Sequence, residues 1–439
     1  MYSLLGMSGM MLRTAISLTI VLVACVSETP VPSRGAHMPQ AGASPVAPDS
    51  GRPVEIVSDH RDDGLVALAP DPCAGMPCPS RDTAMPREPD HDGFSVAEGD
   101  CDDFSDAVNP GAYDVPNNGV DEDCQGGDAL AATCDDMLAL GDNDPLQAAR
   151  ALELCNSTEE SSRRWGVISA RWTTPDGRGT PMSPLQHGLL PGLGAAFAPR
   201  AGKALLALSS GVARAPGQAD YTETCSDAFP AQSTGLPENF DGSSSSCLDF
   251  FESTSVVDAV ALEIALRTPT NATALSFDSA FFTAEYPYYV CASFNDYFQV
   301  IVRPQRTGGS GDGNVVFDMD GNAVSVNNSY LRACDPGFYG GKVFECPLGY
   351  DQLLGSGFDA CEGSTTTDGA LVRHTGASTG WLHTEVPVSP GEVITLRITT
   401  WDSSDSGLDS LAIVDNFRFR LRDGAPPPEK PTTLPISPD

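Results

Sequence analysis

Between residues 88 and 128 the chain keeps returning to one chemical theme, short carboxylate side chains spaced to converge. Asp90 and Asp92 precede Gly93, and Asp100, Asp102 and Asp103 surround Cys101. Asp106 follows, and Asn117-Asn118-Gly119 leads to Asp121 and Asp123 just before Cys124. Alternating aspartates in a glycine-bearing loop let several carboxylates and carbonyls close on one large cation. An all-oxygen donor set favours calcium over copper or zinc, which take imidazole or thiolate. His91 is the imidazole of this segment, and it reads as a surface residue. A Cys101–Cys124 disulfide would hold the two acidic loops together against their repulsion. A second set of oxygen donors lies far downstream. Glu285 and Asp296 flank an aromatic, β-rich segment, while Asp402, Asp405 and Asp409 occupy a Ser/Gly loop ahead of a strand ending at Asp415. Glu285, Asp296, Asp402, Asp409 and Asp415 are thus candidate ligands of a structural calcium where loops meet the end of a sheet.

The first constellation resembles the MopE-type metal-binding motif of secreted bacterial proteins. That motif runs from an Asp/Gly-rich start through Asp-Cys-Asp-Asp and Pro-Gly-Ala to Asp-x-Asp-Cys. The matching residues are Asp100-Cys101-Asp102-Asp103, Pro110-Gly111-Ala112 and Asp121-Glu122-Asp123-Cys124. The usual alternating start is shortened here to Asp90, Asp92 and Gly93, which implies that one cation site is weakened.

The elements that must position these residues are mostly strands. Val393-Ile394-Thr395-Leu396-Arg397-Ile398-Thr399 alternates after a Pro390-Gly391 turn, and Leu411–Val414 and Phe417–Phe419 follow. Such runs between Gly/Pro/Asn/Asp turns predict a mostly-β chain. The expected fold is a jelly-roll-like β-sandwich, preceded by a small acidic disulfide-bonded metal-binding module and one short helix. For the helix, Asp144 caps, Pro145 opens the first turn, and Leu146–Leu154 continue. Three stretches resemble the choice-of-anchor L domain of secreted bacterial proteins. They are Leu275–Phe298, Gly313–Asn328 and Val388–Phe417, with Gln186-His187-Gly188 and Leu206–Gly211 in support. The resemblance covers most of residues 130–422 and implies architecture more than activity. The expected divisions are a signal peptide (1–24), a tether (25–87), the calcium-binding module (88–128), a helical segment (129–160), the β-domain (161–424) and a Pro-rich tail (425–439). The tether's Pro, Ser, Ala and Gly cannot bury enough apolar surface to offset ordering entropy.

Export is the expected route. Arg13 precedes an apolar run, Thr14–Ala24, of about a dozen residues, short of the ~20 that span a bilayer. Leu22-Val23-Ala24-Cys25 resembles the lipobox of bacterial lipoproteins, which implies acylation at Cys25; Val26 behind it implies the outer membrane and a place on the cell surface. Of 13 cysteines, Cys25 set aside leaves 12, an even number that suits disulfides in an oxidising compartment. Nearness in sequence suggests Cys73–Cys78, Cys101–Cys124, Cys134–Cys155, Cys225–Cys247 and Cys346–Cys361, with Cys291 and Cys334 left for each other.

With 25 basic against 59 acidic residues and a net charge of −34, no basic patch forms for a phosphate backbone, so nucleic acid is excluded as a partner. A surface polysaccharide or a protein ligand is expected instead. Trp381, Trp401, Tyr288 and Tyr289 are aromatics suited either to stacking on sugars or to a sandwich core. No Gly-x-Ser-x-Gly elbow or His-Glu-x-x-His pair occurs, and the six histidines show no ligand spacing. The chain is therefore expected not to be an enzyme. The alternative is a carbohydrate-processing hydrolase or accessory on the same scaffold, for which Glu263 and Glu285 are the carboxylate pair to consider.

Overall fold

Alternation along Val393–Asp402 sets the pattern of the fold: Ile394, Leu396 and Ile398 are buried while Thr395 and Arg397 stand half-exposed. A computed structural model describes residues 90–130, 134–223, 225, 229–247, 255–305, 311–328, 330–361, 374–422 and 425–437. Cys25, Cys73, Cys78, the expected signal peptide and all of the expected tether lie outside these residues. Strands β1 (Gly166–Thr173), β2 (His187–Leu190), β3 (Leu205–Ser209) and β4 (Ser233–Thr234) come first. Next are β5 (Val256–Arg267), β6 (Ala272–Thr283), β7 (Tyr297–Arg303), β8 (Val324–Ser325) and β9 (Ala333–Cys334). A hairpin follows, β10 (Gly337–Tyr339) and β11 (Lys342–Phe344). Then come β12 (Ala377–Ser378), β13 (Leu382–Pro387), β14 (Val393–Asp402), β15 (Ser410–Leu421) and β16 (Thr432–Pro435).

The expected mostly-β sandwich is what forms. One sheet runs β1-β5-β14-β7-β8 with β4 on β5; the other runs β16-β13-β6-β15-β3-β2 with β12 between β6 and β9. Long strands alternate between the sheets, so the connections gather at two ends. Arg267 pairs with Val393, which puts the β5–β6 turn and the β13–β14 turn at one end. Thr283 pairs with Ser410 and Tyr297 with Trp401, which puts the β6–β7 and β14–β15 connections at the other. The core between the sheets is Leu262, Ile264, Val300, Leu396 and Ile398 against Leu275, Phe277, Leu208 and Val414. A second cluster covers the outer face of the larger sheet, where Phe282, Leu411 and Ile413 meet Phe197, Leu353 and Phe358. Burial on both faces accounts for the unbroken apolar run Leu411–Val414. Beyond it β15 does not end at Asp415: a register shift carries it past Asn416 to Leu421.

Helix α1 (Pro145–Ala151) is shorter than expected. The Asp144 carboxylate accepts from Leu146 N–H (2.9 Å), and the turn ends where Glu153 takes φ 63. Within the Pro-rich end, β16 adds an edge strand to β13.

Disulfides Cys101–Cys124 and Cys134–Cys155 form as expected. The other three pairings correct the expectation: Cys225 joins Cys361, Cys247 joins Cys291 and Cys334 joins Cys346. For Cys225 nearness in sequence fails because sheet pairing decides which loops meet; Cys334 and Cys346, 12 residues apart, are nearer than the Cys346–Cys361 pair that was expected. Cys334 and Cys346 bracket the β10–β11 hairpin, whereas Cys225 and Cys361 are 136 residues apart. Trp401 is a core residue, fully buried and stacked on Tyr297 with ring centroids 5.2 Å apart.

His187 is buried at the start of β2, stacked on Trp172 with centroids 3.7 Å apart. Burial, and then the Arg214 charge, lower its pKa to about 4. Above pH 6.5 the imidazole is neutral folded or unfolded and contributes nothing. Below 6.5 the unfolded chain takes up a proton that the folded one resists, so stability falls towards pH 4. The full penalty is on the order of 3 kcal/mol. His187→Phe keeps a flat ring on Trp172 with nothing to protonate. Its urea-unfolding free energy should decline less between pH 6.5 and 4 than that of the parent chain.

Candidate metal centres

In the first acidic loop each aspartate commits one oxygen to the backbone two residues ahead. Asp92 N–H donates to Asp90 Oδ1 (3.4 Å), Phe94 N–H to Asp92 Oδ1 (2.7 Å) and Asp102 N–H to Asp100 Oδ1 (3.0 Å). The resulting turns bring one carboxylate oxygen from each of Asp90, Asp92 and Asp100 within 4.8 Å of the other two. Asp90 Oδ2, Asp100 Oδ2 and Asp103 Oδ1 are shielded from water yet meet no hydrogen-bond donor. Burial raises the pKa of Asp100, and the charges of Asp90, Asp103 and Asp102 add to the rise, against one N–H that lowers it. Asp102 itself is exposed at the rim.

A second group forms across the disulfide, where Asp114, Asp121 and Asp123 also offer oxygens within 4.8 Å of one another. Burial works to raise Asp121, but the N–H groups of Gly126 (2.9 Å), Gly127 (2.8 Å) and Gln125 (3.0 Å) outweigh it and hold the carboxyl below its ordinary value. Asp114 moves the other way: burial and neighbouring Glu122 push it to about 6. Sequence reasoning missed Asp114, which directly follows Pro110-Gly111-Ala112-Tyr113; its place after that turn was the available signal. Cys101–Cys124, with Cα atoms 5.7 Å apart, ties the two acidic loops into one body.

This body docks on the sandwich end that carries the β5–β6 turn. Thr270 N–H donates to the Gly111 carbonyl (3.0 Å), and the Thr270 hydroxyl donates to Asn109 Oδ1 (2.7 Å). Asn271 accepts from Tyr113 N–H (2.9 Å) and donates to its carbonyl (3.0 Å). Asp106 belongs to this contact: it pairs with Arg422, and so it is not brought into either carboxylate group. The expectation failed there because nothing in residues 88–128 shows that an arginine 316 positions away arrives beside it.

The opposite end of the sandwich gathers four downstream candidates. Glu285 follows β6, Asp296 precedes β7, Asp402 ends β14 and Asp409 precedes β15; all four are buried. Asp296 Oδ2 accepts from the Ser410 hydroxyl (2.6 Å) and Oδ1 from Ser403 N–H (3.2 Å). Neither oxygen of Asp402 has a well-formed hydrogen bond, nor does Glu285 Oε2. Burial, then the Asp296 and Asp409 charges, raise Asp402 well above its ordinary pKa, and burial with Asp296 and Asp405 does the same to Glu285. Asp296 is pushed to about 7, chiefly by burial. Asp405, passed over as a ligand, is exposed beside the cluster.

Asp415 stands apart, five residues along β15 from Ser410. Its Oδ2 accepts from the N–H groups of Arg200 (2.5 Å) and Ala201 (3.1 Å), so it tethers a turn; a strand residue gives no sequence sign of such a backbone partner. Glu263 and Glu285 are not brought together. Glu263 lies mid-strand, bonded by Arg171 and by Arg397 Nε (2.8 Å), with Arg397 five residues before Asp402.

Residues 100–129 match the family model Cu-binding_MopE, described as “Putative metal-binding motif”. The match takes in Cys101, Cys124 and both later aspartates, and leaves Asp90 and Asp92 outside. No curated protein and no solved structure matches the chain.

The docking of the acidic module is testable at Gly111. A Cβ there would lie 2.9 Å from the Arg163 carbonyl oxygen, 2.9 Å from Thr270 Cγ2 and 3.0 Å from Phe94. Gly111→Ala should lower stability by about 1–3 kcal/mol in denaturant unfolding. Gly141→Ala, with open space around it, should stay within about 0.5 kcal/mol of the parent.

Proposed function

We propose that the protein is a lipid-anchored structural or adhesive protein of the bacterial cell surface, stiffened by calcium, that presents its β-sandwich to a polysaccharide or protein partner. The observation that carries the calcium reading is the set of shielded, donor-free oxygens on Asp90, Asp100 and Asp103, which flank the Cys101 end of the Cys101–Cys124 disulfide. Hard oxygen donors suit calcium. The softer ligands that copper prefers are missing from the two groups, since Cys101 and Cys124 are bonded to each other and neither group includes His91. The lipobox-like Leu22-Val23-Ala24-Cys25 supports an outer-membrane anchor, and the likeness to the choice-of-anchor L domain supports a tethered β-architecture. The role proposed is non-enzymatic.

At millimolar calcium and affinities of ~0.1–1 mM the gain in stability is about 1 kcal/mol per site. Titration of the full chain by calorimetry should show calcium binding that falls when Asp100→Asn and Asp121→Asn are combined, with magnesium a poor substitute. Tighter binding of copper, or calcium heats unchanged in that variant, overturns the reading. For the anchor, Cys25→Ser should abolish partition with membranes and incorporation of labelled palmitate. Unchanged membrane association would instead remove the lipid from the proposal.

A further inference from the structure

We infer that Glu285, Asp296, Asp402 and Asp409 hold a divalent cation of the calcium class that fastens the two sheets at the end of the sandwich away from the acidic module. This site does not depend on the module: the module could bind nothing and the inference would stand.

Topology comes first. The four residues lie on the two connections that cross between the sheets at this end, β6 to β7 and β14 to β15. One ion held by both crossovers would therefore bridge the layers. Burial comes second. Asp402 is 1% exposed and Glu285 2% exposed, yet Asp402 Oδ1 and Oδ2 and Glu285 Oε2 have no well-formed hydrogen bond. Buried carboxylates are otherwise paired, hydrogen-bonded or metal-bound. Among the described residues no ion pair reaches Glu285, Asp296 or Asp402. The Ser403 hydroxyl, 1% exposed and also without a partner, supplies a neutral oxygen of the kind calcium accepts. Finally, the Asp409 carboxylate fills the space where a side chain on residue 211 would begin, so Gly211 is the cradle that lets it reach the cluster.

The rival arrangement is a cation-free cluster in which Asp296 and Asp402 share a proton. The two differ in sign under charge removal. Against a cation, Asp402→Asn removes a ligand; without one, it removes only repulsion or a shared proton.

The experiment uses the full chain carrying Asp100→Asn and Asp121→Asn, so that calcium at the module is weakened. After dialysis against calcium and then buffer, this protein should retain bound calcium by atomic emission. Its melting temperature should rise by a few degrees between EGTA and millimolar CaCl2. Adding Asp402→Asn should abolish the retained ion and the calcium-dependent rise, while leaving the EGTA melting temperature equal or higher. Glu285→Gln and Gly211→Ala are second routes to the same loss if Asp402→Asn does not fold. No retained calcium and no melting shift in the module-silenced chain overturns the site, whatever the other variants do. So does a calcium response that survives Asp402→Asn, or an Asp402→Asn loss that is the same with and without calcium. Failure of the module reading looks different, because calcium bound by the parent chain would then be unaffected by Asp100→Asn and Asp121→Asn.

Discussion

Removing a carboxylate from water costs several kcal/mol unless a counter-charge or a set of donors replaces the lost hydration. How each buried acid meets that demand organises this structure. Mid-sheet acids are answered from within the chain. Asp278 accepts from Arg200 Nε (2.6 Å), Asn416 (2.8 Å) and His383 (2.7 Å), and these contacts outweigh burial to hold its pKa low. Glu263 sits between two guanidiniums, and Asp415 caps backbone N–H groups. With only 25 basic residues against 59 acidic ones, internal cations cannot serve every carboxylate. Among the described residues, two sets of such acids lie at the ends of the sandwich, in the docked acidic module and in the crossover cluster, where connecting loops can wrap an ion that comes from solution.

That division explains what was legible in the sequence. The module could be read because its carboxylates, turns and disulfide all fall within about 40 consecutive residues, and Asx turns are made by local chemistry. The sandwich could be read because β14 alternates over Val393–Ile398 and β15 carries an apolar run long enough for a strand covered on both faces. What could not be read depends on partners remote in the chain. Asp106 and Asp415 look like Asp100 and Asp402 in sequence, yet Arg422 meets one and the Arg200–Ala201 backbone meets the other. Disulfide partners failed for the same reason, since Cys225 reaches Cys361 only after the sheets have formed. Trp401 was ambiguous between a sugar platform and core because an aromatic at a strand end has no local mark of which face it takes.

A disulfide and a bound cation would staple this fold in complementary ways. Cys247–Cys291 and Cys225–Cys361 close loops spanning 44 and 136 residues, and in the chain-entropy account such closures act chiefly on the unfolded state. A bound cation acts on the folded state, because its ligands converge only there. Cys291 lies in the same β6–β7 connection as Glu285 and Asp296, so one crossover carries both devices. The disulfide limits where that segment can wander, and the Asp296 charge then acts on buried Glu285. Without neutralisation the covalent staple would work against the charge; with it, the two reinforce each other. The acidic module repeats the pairing at the other end, where Cys101–Cys124 forces two acidic loops together before any ion is bound. Recurrence of the same combination, a disulfide beside buried carboxylates, at opposite ends of one sandwich makes chance surface acidity a poor account of either.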